Sequence, residues 1–240
     1  TWTYGHISDW NVSAVTNMLN VFKDRIDFNE DISGWDVSAV VSMRGLFNNA
    51  TSFNQEIGSW DVSSVTTMDE MLKDASSFNK YIGDWNVSSV VRMWDFFHGA
   101  SSFNQDISNW NVSNVTNMHG MFLDASSFNI DIGAWDTSSV QKMAWMFRNA
   151  TSFNQPIGNW DVSNSTDMLN MFNLATSFNQ DLSGWNISAV SNMATMFFNA
   201  NNLSSVNKGL IHESFSTNEN WPYEWLEFIP PRNLASLAPL

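Results

Sequence analysis

Carboxylates recur along this chain at a fixed interval: Asp31, Glu56, Asp106, Asp131 and Asp181 are separated by 25 residues or multiples of 25. If neighbouring repeats stack about 4.7–5 Å apart, as extended segments do, Asp106 and Asp131 come within reach of one cation. Calcium, a hard ion that takes oxygen ligands, is the ion they would suit, and no other cofactor is indicated. The plainer reading is a solvated acidic edge, interrupted by Tyr81 and Pro156. The four histidines, His6, His98, His119 and His212, are scattered, and the acid pair Asp69–Glu70 reads as a solvated outer face. No zinc-protease, nucleophile-elbow, phosphate-loop or dinucleotide motif occurs, so a protein without catalytic activity is expected. The sequons at Asn111 and Asn114 follow from the repeat pattern and carry little information.

A second group has recognition chemistry. Trp94, His98, His119, Leu123, Trp145 and Arg148 stand at positions where other repeats hold small or polar residues. Aromatic side chains beside arginine are the composition of interface hot spots. Trp94 and His98 lie four residues apart and would share one helix face. Lys73, His98, Leu123 and Arg148 hold one repeat position and should form a row. The competing reading has the indoles folded onto the surface, covering neighbouring repeats.

The element that must position these residues is the repeat itself. Trp10, Trp35, Trp60, Trp85, Trp110, Trp135, Trp160 and Trp185 are spaced by 25, and Met18 through Met193 keep the same step. Phe-Asn opens each later unit, from Phe28 to Phe178, and residues 101–125 (SSFNQDISNWNVSNVTNMHGMFLDA) are a typical unit. A fixed period of this length marks a stacked array. Within the unit, Val115, Met118, Met121, Phe122 and Ala125 step by three and four, which predicts a short helix or a series of helical turns. Ser113 sits where an N-cap belongs. Upstream, the segment around Ile107 and Trp110 predicts a short extended stretch between turns. The Asn after each Phe fits a side-chain ladder between units, and the Asn/Asp exchange along Asn11, Asp36, Asp61 and Asn86 fits Asx turns.

Composition narrows the classes. With 24 acids and 10 bases the net charge is −14, so the basic footprint of a nucleic-acid binder is missing, and an anionic membrane surface is disfavoured. There is no cysteine, hence no disulfide framework. No apolar run is long enough for membrane insertion. Starting mid-pattern at Thr1, the chain reads as part of a larger multidomain protein.

The motif carried by Phe103, Asn104, Ile107, Trp110, Val112, Ser113, Val115, Met118, Met121, Phe122 and Ala125 resembles the BspA-like bacterial surface-protein repeats. That likeness implies an α/β repeat solenoid: a right-handed, leucine-rich-repeat-like stack of about eight 25-residue strand-turn-helix coils with terminal caps. The expected boundaries are a solenoid domain over 1–228 (N-terminal cap 1–6, repeats 7–200, C-terminal cap 201–228) and a tail or linker over 229–240. By analogy with other leucine-rich repeats, the opposite strand face, with Lys80, Tyr81, Gln105 and Ile130, is an alternative site. The resemblance implies an extracellular or cell-surface recognition or adhesion module for a protein or glycan. A structural spacer or assembly scaffold is the other reading. An ice- or polysaccharide-binding array is a weaker third.

Overall fold

Successive repeats join through a column of single-residue parallel bridges, Asn17 to Ser42, Thr67, Arg92, Asn117, Lys142, Asp167 and Asn192. This is a computed structural model and describes residues 5–229. Residues 1–4 of the expected N-terminal cap and 230–240 of the expected tail lie outside the described residues. Beside the bridges, Val41, Thr66, Val91, Thr116, Gln141, Thr166 and Ser191 each donate a backbone N–H to the residue 25 earlier, at 2.8–3.0 Å. Like residues therefore sit on like residues along the stack.

The segment after each bridge is not a helix. In the typical unit the N–H groups of Met118, Gly120, Phe122 and Asp124 donate to the next coil, at Lys142, Ala144, Met146 and Arg148. Those of Met121, Leu123 and Ala125 close turns onto Met118, Gly120 and Phe122. Such alternation needs left-handed backbone at two points, and Gly120 (φ 60°) and Asp124 (φ 58°) provide it. Glycine, asparagine and aspartate tolerate that conformation best, and they fill most equivalents, among them Asn20, Gly45, Asp95 and Asn170, then Asp24, Asn49, Gly99 and Asn149.

The expected strand-turn-helix solenoid is thus corrected. Among the described residues the repeats contain no α-helix, only a 3-10 turn at Ile7–Asp9, and no strand longer than a bridge; the α-helix is α1, Ser205–Phe215, beyond them. The three-and-four spacing that signals a helix is also produced by consecutive turns, and stacking takes the donors that an i−4 bond would need. The extended column falls at Thr116–Asn117, inside the segment predicted as helical. The predicted extended stretch is a turn, with Trp110 N–H donating to Ile107 at 3.1 Å. Ser113 is not an N-cap; its hydroxyl donates to Asn111 Oδ1 at 2.7–2.8 Å, as in the equivalent Ser88 turn.

The interior is columns of rings. Phe28, Phe53, Phe78, Phe103, Phe128, Phe153 and Phe178 stack at 5.8–6.3 Å. Phe97, Phe122, Phe147, Phe172 and Phe197 form a second column at 5.5–5.6 Å. The buried indoles add a third, and each donates Nε1–H to a carbonyl 28 residues back, as Trp110 does to Ile82 at 3.0 Å. Buried donors need such partners. Thr137 and Ser165, which stand where most repeats have valine, satisfy their hydroxyls on Asp161 O and Val140 O.

The asparagine ladder forms as expected. Asn29 Oδ1 accepts from Asn54 N–H, and the relay continues through Asn79, Asn104, Asn129, Asn154 and Asn179 to Ser204. Asn129 Oδ1 accepts from both Asn154 N–H (2.9 Å) and Gln155 Nε2 (3.0 Å). Asn129→Ala removes this shared acceptor and both of its hydrogen bonds and should cost about 1–2 kcal/mol, read as a lowered midpoint in urea with unchanged m-value.

The last coil is covered by a different chemistry. Ser204 Oγ caps α1 by accepting from Asn207 N–H, and Ile211 and Phe215 are buried. Trp221, Tyr223 and Trp225 pack on the core beyond Phe197, and the Tyr223 hydroxyl accepts from Phe197 N–H at 2.7 Å. Phe228 instead lies on α1, its carbonyl closing on Gly209, where a side chain would not fit. No helix among the described residues is long and apolar enough to cross a membrane.

Candidate functional site

Three coils bring an aromatic row to the surface. Trp94 and His119 hold the residue after the buried Met in their coils. Their rings meet edge-on at 6.3 Å. In the next coil that position is Ala144, and Trp145, one residue on, stacks on His119 at 6.2 Å. Arg148 lies over the Trp145 ring at 5.1 Å, a cation–π geometry. All four side chains are half-buried. Trp145 carries φ 65° at a position that other coils fill mostly with Gly, Asn or Asp, though also with Glu70 and Thr195. A bulky residue there costs about 1–2 kcal/mol.

Trp94, Asn117, His119 and Lys142 line a niche of about 280 Å³. Asn117 Oδ1 accepts from His119 N–H at 3.0 Å, which fixes the turn presenting the imidazole. Burial, the largest effect, pushes the His119 pKa down, with Lys142 and His98 adding to it against Asp95 and Asp167. The ring is therefore neutral at pH 7. Asn117 and Lys142 were not singled out in the sequence. The one available signal was that they hold the bridge position, where polar side chains change from coil to coil.

The other expected members of this site do not join it. Leu123 is 5% exposed and belongs to the interior. His98 does not share a helix face with Trp94, since no helix exists there. Its Nδ1 lies 3.2 Å from Asp95 Oδ2 and its Nε2 3.6 Å from Asp124 Oδ2, while Lys73 Nζ donates to Asp95 Oδ2 at 3.0 Å. Burial alone would lower the His98 pKa, but the hydrogen bonds to Asp124 and Asp95 outweigh it and raise it to about 9. His98 is a structural cation tying coils together. Lys73, His98, Leu123 and Arg148 do share a register, but as a mixture of ion pair, core and surface.

Asp69 also departs from expectation. It is fully buried, 2.8 Å from Arg92, and its Oδ1 accepts from Trp94 N–H at 3.1 Å. Burial raises its pKa despite the guanidinium. The carboxylate thus anchors the backbone that presents Trp94.

The alternative residues Lys80, Tyr81, Gln105 and Ile130 lie in the turn that carries the asparagine ladder, not on a strand face. Lys80 pairs with Glu56 at 2.6 Å, Tyr81 donates to Asp84, and Gln105 donates to Asn79. Ile130 lines a shallow groove of about 660 Å³ with Asp106 and Asp131. Each of those carboxylates holds its own turn, Asp106 accepting from Ser108 N–H and Asp131 from Gly133 N–H, both at 2.9 Å. Among the described residues no three acidic or histidine side chains gather as a metal cage, so a calcium ion there would meet two carboxylates already engaged in turns.

In-register columns, single bridges and an edge that varies from coil to coil define a tandem-repeat protein. Three overlapping stretches, residues 2–80, 55–143 and 130–219, match the family described as Mycoplasma protein of unknown function, DUF285. The chain belongs to that family. No curated protein and no solved structure matches it.

Proposed function

We propose that the chain is a non-catalytic recognition module, displayed at a cell surface or secreted, that binds a protein or glycan through the edge bearing Trp94, His119, Trp145 and Arg148. One observation carries this reading: residues from three separate coils converge into one aromatic row. The likeness to BspA-like surface repeats supports an adhesive role and an extracellular setting. Nucleic acid fits poorly with a charge of −14.

Trp94→Ala is expected to leave the melting temperature within a few degrees of wild type and to weaken target binding roughly 30-fold or more, as loss of a hot-spot indole does. A glycan array and a panel of purified surface proteins, probed with both forms, check this. Wild-type binding unaffected by Trp94→Ala would remove the aromatic row from the site. Silence on every probe would favour the spacer reading.

A further inference from the structure

We infer that the niche between Trp94, Asn117, His119 and Lys142 takes a saccharide bearing a single carboxylate; this rests on the recognition reading above and specifies its ligand. Each backbone carbonyl of the niche already accepts one hydrogen bond from the stack. The carbonyls of Trp94, Asn117, His119 and Lys142 accept from Glu70, Met93, Asp95 and Met118, at 2.7–3.1 Å. Asn117 Oδ1 is engaged by His119 N–H. The polar groups left for a ligand are mainly donors: the Asn117 amide, the Trp94 indole N–H and the Lys142 ammonium. The one clear acceptor left is the second nitrogen of a neutral His119.

Lys142 is exposed and within 4 Å of no carboxylate among the described residues. The nearby acids are engaged elsewhere: Asp95 is buried against Lys73 and His98, and Asp167 Oδ1 holds Leu169 N–H. A donor-rich wall with an ammonium held in no ion pair is complementary to an acceptor-rich anion. Polyanions are opposed by the −14 chain as a whole, which limits the ligand to one charge.

The aromatic row chooses among such anions. Electron-rich indole faces attract the polarised C–H groups of a pyranose. The niche has no aliphatic wall for a peptide side chain to fill, and its volume of about 280 Å³ is at the small end for ligand sites.

The test is calorimetric titration of the whole chain with a glucuronate-terminated disaccharide, its carboxyl-reduced counterpart and a short peptide with a free C-terminal carboxylate. The acid sugar should bind at least tenfold more tightly than the reduced one, and 0.5 M NaCl should shrink that ratio. Lys142→Gln should make the two sugars bind alike with an unchanged melting temperature, while Trp94→Ala should weaken both. Equal binding of the two sugars to wild type, or a preference that survives Lys142→Gln, overturns the carboxylate assignment; if binding still depends on Trp94, the recognition reading stands. A peptide that outcompetes both sugars, or no binding by either sugar, overturns the saccharide assignment. Trp94-dependent capture of a surface protein would then show that recognition itself survives.

Discussion

Truncating Trp110 to alanine is expected to lower stability by about 3–5 kcal/mol, the range for removing a buried aromatic from a core that cannot collapse. The indole is 3% exposed, stacks on Trp85 at 6.3 Å and 6°, and lies 6.1 Å from Phe97 in near-parallel contact. It also holds the Ile82 carbonyl, which would be left buried without its donor. Neighbours above and below are fixed by backbone bonds to their own neighbours, so the void has little means of closing. Because each coil touches only the adjacent ones, the damage should be local, and the denaturation curve should broaden or split. Trp10→Ala is the internal control. Its side chain is 45% exposed, so its loss should be a fraction of that at Trp110. Equal losses at the two sites would mean that the indole column is not the core.

Asp95→Asn should cost about 2–3 kcal/mol at pH 7 and alter the pH dependence of stability. Asp95 Oδ2 receives Lys73 at 3.0 Å and faces His98 Nδ1 at 3.2 Å. Removing its charge leaves two half-buried cations facing an amide, the costly way to break an inward ion pair; partial exposure of both cations keeps the figure below that of a fully buried pair. In the wild type, His98 has a folded-state pKa of about 9 against 6.5 when unfolded. A raised pKa means the folded state holds the proton more tightly. The stabilisation is therefore complete below pH 6.5 and is lost as pH climbs through 9. In Asp95→Asn the His98 pKa should fall back and the slope between pH 6.5 and 9 should flatten. Urea unfolding at pH 6, 7.5 and 9 checks both forms. A wild-type slope that persists in the variant would place its source outside this cluster.

Asp95 also shows how little of this edge could be foreseen. Its Oδ1 points to where a Cβ on Gly120 would be, 2.1 Å away. The glycine is thus demanded by a carboxylate 25 residues earlier, as well as by its own φ of 60°. Nothing local announces such a contact. Asp69 is similar: beside Glu70 it reads as solvated, and only the stack buries its carboxylate under the neighbouring coil and brings the exposed Arg92 to it.

What the chain's own pattern determined is its periodicity and everything that follows from like stacking on like: the Trp and Phe columns, the asparagine relay and the Asx turns at Asn11 through Asn186. These need only an exact 25-residue register, since identical side chains one coil apart must meet. Tertiary structure decided the backbone between those fixed points. Steps of three and four are shared by helices and by consecutive turns. The choice between them rests on whether each N–H finds its acceptor four residues back or one coil away. It also decided the surroundings of the proposed site, keeping Trp94, His119, Trp145 and Arg148 at the edge beside Asn117 and Lys142, and withdrawing Leu123 and His98 into interior and ion pair. Residues that differ from coil to coil owe their surroundings to two other coils, and that information is not local.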